Sequence, residues 1–446
     1  MLNLPALKWV NKKGGVYLIS IKRSLFILIS LLTLLLPLAA CSNSETSSSN
    51  GDSDGKVTLT WWSHDGPAFV KANKQFIKEY EAKNPNVQIK LQIFPYDAFI
   101  QKLKAAYASK NPPDLAQVFG SWVPQYSKNA LLSPIPDDMK DWAKSTFYEP
   151  ALGAYTLDDK LYGIPQEYNI ENGGVLANPD MFKKAGLEYP KTWNELIDDA
   201  KKLTVTKNGK IDIKGFDFIS GDNITFTFLS LILQQKGDYW TSDGHVNFTT
   251  PEAITAMEEL KKFVTDYKVT NLRDFSGNLD ISDLFYKNKA AMVYRGPWTI
   301  AVGKENYKTE KLDYIPIPSF TDQPPYFAAE SGWGEIVAKS SKHQEEAWKF
   351  IRYMTEKDKA KYFNITTFTV PANKEAAQDP EFLKALPKMK ASIDVLPYGR
   401  FIGLIDTDFL KKTINDNFQL IAAEKTSVED GLKKIETTIN QMLDKK

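Results

Sequence analysis

One cysteine, Cys41, is all that the 446 residues contain. That excludes intramolecular disulfides and thiolate zinc sites, which need at least two thiols. Histidine is nearly as scarce: His64, His245 and His343 are scattered along the chain, a poor set for a metal centre. Neither sign of charge dominates, with 56 Lys and Arg against 55 Asp and Glu, whereas a nucleic-acid binder shows a basic excess. The signatures of common hydrolases and NTPases are missing too: no G-x-S-x-G elbow, no P-loop and no H-E-x-x-H. No catalytic residue, cofactor or metal is expected.

What is there begins near the N-terminus. Lys22 and Arg23 precede the apolar run 25–40 (LFILISLLTLLLPLAA), which ends at Cys41. The run is short for a transmembrane helix, which needs about 20 apolar residues. A basic flank, an apolar core and then small residues are the grammar of an export signal. Leu38-Ala39-Ala40-Cys41 resembles the lipobox of bacterial lipoproteins. The resemblance implies cleavage before Cys41, acylation of its thiol, and anchorage to the outer face of the bacterial cell membrane. The alternative is a plain signal peptide with an incidental cysteine. Residues 42–55 (SNSETSSSNGDSDG) carry no apolar side chain and bury too little to offset ordering entropy, so they read as a flexible tether. Lys12-Lys13-Gly14-Gly15 reads as a translated ribosome-binding site, with Leu18 as the expected true start.

The five basic residues of the leader leave 51 basic and 55 acidic residues after residue 40, a net charge of −4. The remaining length fits two to three domains. Val57 to Trp61 alternates as a strand, Phe69, Phe76 and Tyr80 recur at helical spacing, and Val87, Ile89, Leu91 and Ile93 alternate again. A second helix bearing Phe99 and Leu103 leads through Asn111-Pro-Pro-Asp114 into a third strand, LAQVFG. Strand–helix–strand–helix–strand predicts a parallel, doubly wound α/β sheet, whose ligands bind beyond the carboxyl ends of the strands. Further on, Thr192-Trp-Asn-Glu195 predicts a capping box, and helices are expected from Thr250-Pro251-Glu252, from Glu345 to Met354, and from Ser427 onward.

Several stretches together resemble the carbohydrate-binding group of extracellular solute-binding proteins of ABC importers, which includes maltodextrin-binding proteins. They are 76–87 (FIKEYEAKNPNV), Pro113-Asp114, 126–132 (YSKNALL), Tyr162-Gly-Ile-Pro165, 178–187 (NPDMFKKAGL), Pro190 to Glu195, Lys289 to Met292, Gly296-Pro-Trp298, and Ala347 to Phe350. Resemblance covers roughly residues 57–446. It implies two α/β lobes hinged around a ligand cleft: 56–164 with 325–354, and 165–324 with 355–446. It implies a monomer that captures a sugar by closure, most naturally an oligosaccharide, and delivers it to a membrane permease driven by a separate ATPase. The family often has Tyr-Asn-Lys before the Asp of its Asn-x-Asp turn; here the stretch is Leu176-Ala-Asn-Pro-Asp180.

Sugars present flat apolar faces rimmed by hydroxyls, so a site for them needs aromatic platforms with donors and acceptors. By resemblance, Trp298 stacks on sugar. At the first strand's end, Trp62, His64 and Asp65 are candidates, and Trp62 is favoured over Trp61 for the cleft. Phe119 and Trp122 follow the third strand. Glu167, Glu171 and Asn172 follow the Ile164-Pro165 crossover, where the family supplies cleft polar groups. Trp240, Trp333 and Arg400 complete the set. Asp114 is expected to fix a turn, and Trp193 and Trp348 to be core. Rival readings are the same fold binding a peptide or organic acid through Arg295 and Arg400, a secreted glycoside hydrolase using Glu167 and Glu171, and an adhesive lipoprotein.

Overall fold

The alternation read at Val57 becomes the strand Val57–His64, which puts Leu59 and Trp61 wholly inside. The computed structural model describes residues 56–171, 173–273 and 281–445, with Asp97 described by its backbone alone. Cys41, the signal-like run, the Ser-rich stretch and Asn172 lie outside the described residues.

Val57–His64 pairs in parallel with Val87–Phe94 on one side and Leu115–Phe119 on the other. The connecting helices are Pro67–Lys83, started by a proline in its first turn, and Tyr96–Ala108. This is the wound unit that the sequence predicts. Two further strands complete the sheet and make it mixed. Trp333–Val337 runs antiparallel between Leu115–Phe119 and Gly163–Pro165. The parallel unit is present as expected, and the sheet extends beyond it with a fourth strand that arrives antiparallel from more than 200 residues downstream.

A second five-stranded sheet runs in the order Asp313–Ile315, Val175–Ala177, Ala290–Tyr294, Lys210–Asp217, Val205–Lys207. It too is mixed, parallel between Ala290–Tyr294 and Lys210–Asp217 and antiparallel elsewhere. Every side chain of Ala290–Tyr294 is buried, as befits a central strand covered on both faces. The helices around it include Trp193–Leu203, whose Thr192–Glu195 capping box is present, and the apolar Gly221–Leu233. Trp193 and Trp348 are buried as expected.

The core around the first sheet also takes Leu176, Ala290, Val293 and Tyr314 from the second sheet, whose Val175, Ala177, Ala291, Met292 and Tyr294 anchor the other core. The helix Lys357–Thr367, expected with the second lobe, packs on Pro67–Lys83 of the first, with Phe363 against both Phe69 and Phe76. The lobe boundary expected at 355 thus cuts through one packed core. Ring-on-ring contact with Phe69 and Phe76 holds this helix to the first sheet.

Candidate ligand cleft

The strand ends of the first sheet and the loops of the second line one cleft of about 610 Å³. On the first sheet's side the wall is aromatic. Trp333, at the start of its strand, meets Phe119 edge-on at 5.5 Å and Trp122 at 5.4 Å. Tyr96 and Phe69 approach the same indole at 6.1 Å and 6.4 Å. Such pairs contribute about 0.5–1.5 kcal/mol each beyond their burial, so the rings brace one another as a preformed platform. The neighbouring glycine is needed: a Cβ on Gly332 would stand 2.5 Å from Glu167 Cγ.

The second sheet supplies Trp298, just past Ala290–Tyr294. Its Nε1 donates to Glu171 Oε1 at 3.3 Å. The Arg295 guanidinium covers one ring face at 4.5 Å and donates to Asn223 Oδ1 at 2.9 Å. Arg295 also faces Asp222 at 3.6 Å and Glu171 at 4.0 Å. Lys411 pairs with Asp222 at 3.0 Å. Glu167 Oε1 accepts the Trp333 backbone N–H at 3.2 Å.

Burial governs the acid–base state of these groups. It lifts Glu167 to about 7, against the hydrogen bond from Trp333, and Glu330 to about 7, against the pull of Lys411. Glu171 is raised as well, by burial and then by the nearby Asp222. Burial works against the Lys411 ammonium, yet Asp222 and Glu330 hold its pKa above the ordinary value. The cleft thus offers flat aromatic faces and a set of hydrogen-bond acceptors, which is the chemistry a polyhydroxylated ligand needs. No group of three or more His, Cys, Asp or Glu side chains able to hold a metal exists among the described residues.

Of the residues singled out in the sequence, Phe119, Trp122, Glu167, Glu171, Trp298 and Trp333 come together here. Five others do not line the cleft. Trp62 is half-buried against Phe94 at 4.8 Å, because the strand's alternation sends Trp61 into the core and Trp62 to the opposite face. His64 lies one layer beneath, its ring 4.5 Å from Trp333 and its Nδ1 accepting the Gly66 N–H at 3.0 Å. Burial lowers its pKa to about 4, with Asp65 opposing. Asp65 itself is exposed. Trp240 and Arg400 line a separate depression of about 470 Å³ with Tyr326 and Phe401. Asp114 fixes a turn as expected, accepting Thr60 N–H at 2.8 Å, Thr60 Oγ1 at 2.7 Å and Ser341 Oγ at 2.6 Å.

The sequence reading missed Phe69, Tyr96, Asp222, Glu330 and Lys411, all of which line the cleft. Glu330 carries a readable signal, a carboxylate directly after the buried strand Phe327–Ala329. Lys411 carries none, being one of two adjacent lysines on the helix Thr407–Ala422.

The family model for "bacterial extracellular solute-binding protein" matches residues 66–361. The diacetylchitobiose binding protein DasA of Streptomyces coelicolor is 28% identical over 369 residues, 80% of this chain and 83% of its own. The ABC substrate-binding protein Lmo0181 from Listeria monocytogenes, solved in complex with cycloalternan, is 26% identical with a TM-score of 0.70, across 87% of this chain and 99% of that one. A cyclic alpha-maltosyl-1,6-maltose binding protein from Arthrobacter globiformis, 22% identical, shares the fold with a TM-score of 0.75 over 88% of this chain and 100% of its own.

Proposed function

Because the chain belongs to the bacterial extracellular solute-binding protein family, we propose that it captures an oligosaccharide in the cleft between its two sheets and hands it to an ABC-transporter permease. The observation that carries this reading is the pairing of the Phe69–Tyr96–Phe119–Trp122–Trp333 wall with Trp298 in a cleft that Glu167, Glu171, Asp222, Glu330 and Asp408 also line. Aromatic faces take the apolar faces of sugar rings, and carboxylates accept from the hydroxyl rim. The cleft runs on past Trp122 into a further space of about 380 Å³ that shares Tyr96, Ser121, Trp122 and Asp408 with it. That length favours several linked rings over one. Names of relatives point the same way, toward diacetylchitobiose and cycloalternan.

Closure is a hinge motion between the two sheet-centred lobes. The first takes 56–164, 325–354 and the helix Lys357–Thr367, and the second takes 165–324 with the end of the chain. Lipid on Cys41 anchors the monomeric receptor outside the cell membrane, and residues 42–55 give it reach to the permease. Its role is binding without catalysis, in keeping with a family of binding proteins. A peptide or organic acid would need an open cation, and Arg295 already faces Glu171 and Asp222.

The test is the melting temperature of the protein against oligosaccharides, monosaccharides, amino acids and short peptides. A ligand of the native state at 100 times its Kd adds about 2.7 kcal/mol. A rise with one saccharide series, lost in Trp298→Ala, is expected. A rise with peptides alone would overturn the substrate class. Radiolabelled palmitate incorporation that survives Cys41→Ala would overturn the anchor.

A further inference from the structure

The cleft wall is nearly one-signed. Glu167, Glu171, Asp222, Glu330 and Asp408 line it against a single ammonium, Lys411. That ammonium already serves Asp222 at 3.0 Å and Asp408 at 3.3 Å. The Arg295 guanidinium, behind the wall, faces Asp222 and Glu171. Both cations are thus committed to carboxylates of the cleft. Glu167 and Glu330 have no cation at ion-pair distance among the described residues; Glu167 accepts from the Trp333 N–H at 3.2 Å and from the Thr369 side chain, and Glu330 from Asn169 Nδ2 at 3.5 Å and from the Thr407 side chain. Glu171 keeps its second oxygen, Oε2, buried with no hydrogen bond. The cleft therefore presents acceptors in excess and no cation left over for an anion.

An anionic ligand group would lose its hydration with no cation in return, and it would meet the ionised carboxyls as like charges, Glu167 and Glu330 being about half ionised at pH 7. A hydroxyl donates to a carboxylate readily, and an ammonium does so with charge assistance. Lys104 and Lys128 border the space beyond Trp122, but both are exposed, where salt screens them, and Asp406 and Asp408 share that border.

We infer that the cleft sorts saccharides by charge: it admits uncharged sugars, holds sugars bearing a protonated amine more tightly, and turns away those bearing carboxylate, sulfate or phosphate. This rests on the saccharide reading above. Discrimination of this kind comes from repulsion as much as from attraction.

The experiment is calorimetric titration of the full chain in detergent at pH 7 and low salt. Four trisaccharide probes are used: maltotriose, N-acetylated chitotriose, the fully deacetylated glucosamine trimer, and trigalacturonate. The glucosamine trimer is expected to bind at least tenfold tighter than its N-acetylated form, and trigalacturonate at least tenfold weaker than the better uncharged probe. Both gaps should narrow in 0.5 M salt on the intact protein, and in Glu330→Gln and Glu167→Gln if those variants fold. Trigalacturonate binding as tightly as an uncharged probe, or the amine gaining nothing over its acetylated form, overturns the charge rule alone. Silence of all four probes fails the saccharide reading and takes this inference with it.

Discussion

The Arg295 guanidinium lies 4.5 Å over the Trp298 ring, while Glu171 Oε1 accepts the indole N–H. One face of the indole is taken and its edge is pinned, which leaves the other face for a sugar. A cation over a desolvated indole contributes about 2 kcal/mol. Arg295→Ala should therefore weaken saccharide binding although Arg295 does not line the cleft. It should also destabilise the fold by about 3–5 kcal/mol, since Glu171 and Asp222 lose a buried partner. Arg295→Lys keeps the charge and loses the flat stack, so it should restore stability more fully than affinity. Urea unfolding and calorimetry on the three proteins measure both. Equal recovery of the two by lysine would show that charge alone matters and that the stack positions nothing.

Stability should carry two opposed pH dependences. Glu167 and Glu330 sit at about 7 in the folded protein against an ordinary 4.5. Native protein then holds protons that the unfolded chain has released, so their contribution is present below pH 4.5 and is lost as pH rises through 7. His64 sits at about 4 against 6.5, so its contribution is present above pH 6.5 and is lost as pH falls toward 4. Each shift corresponds to about 3 kcal/mol at most. Glu330→Gln should flatten the decline in stability between pH 5 and 7.5, and His64→Phe the decline between pH 6.5 and 4. Unfolding free energies across that range decide it; an unchanged profile in either variant removes that residue from the account.

Local pattern carried the first lobe well. Period-two alternation marked Val57–His64 and correctly divided Trp61 from Trp62, but it does not say which face a ligand meets, and Trp62 went to Phe94 instead. Trp333 was visible because glycines flank its ring, and Trp298 through resemblance to a family position that stacks on sugar. Trp240 looked equivalent in sequence, yet its Nε1 donates to Ile402 O and holds it outside the cleft. The acceptors at Asp222 and Glu330 and the ammonium of Lys411 meet only when the chain crosses between sheets. Such meetings are set by contacts more than 80 residues apart in sequence, which no local period records.

Glu335 is wholly buried in the first sheet, where its Oε2 accepts the Trp61 indole N–H at 2.9 Å. Burial pushes its pKa well above the ordinary value, so a neutral acid stands there. Glu335→Gln keeps an acceptor of the same shape without an ionisable proton and should change stability by less than about 1 kcal/mol at neutral pH. Trp61→Phe leaves that acceptor without its donor and opens space in the core, a loss of about 2–4 kcal/mol. Denaturant midpoints for the two variants provide the comparison. A glutamine variant as damaged as the phenylalanine one would mean that the carboxylate is ionised and paired.

Trp240 and Arg400 were candidates for the ligand, and the structure places them in a depression apart from the cleft. Arg400 stacks 4.5 Å over Tyr326, and Trp240 and Phe401 line the same depression. Neither lines the cleft, so removing either ring or charge leaves the bound saccharide its platform and its acceptors. Trp240→Ala and Arg400→Ala should each hold saccharide affinity within about twofold. Trp240→Ala should still lower stability by about 1–3 kcal/mol, through the lost bond to Ile402 O and the half-buried indole. Trp298→Ala, in the same titration, should lose about thirtyfold or more, the scale of a central aromatic anchor. Comparable losses in Trp240→Ala and Trp298→Ala would place the ligand across both depressions, and the cleft would have to be redrawn to include the second.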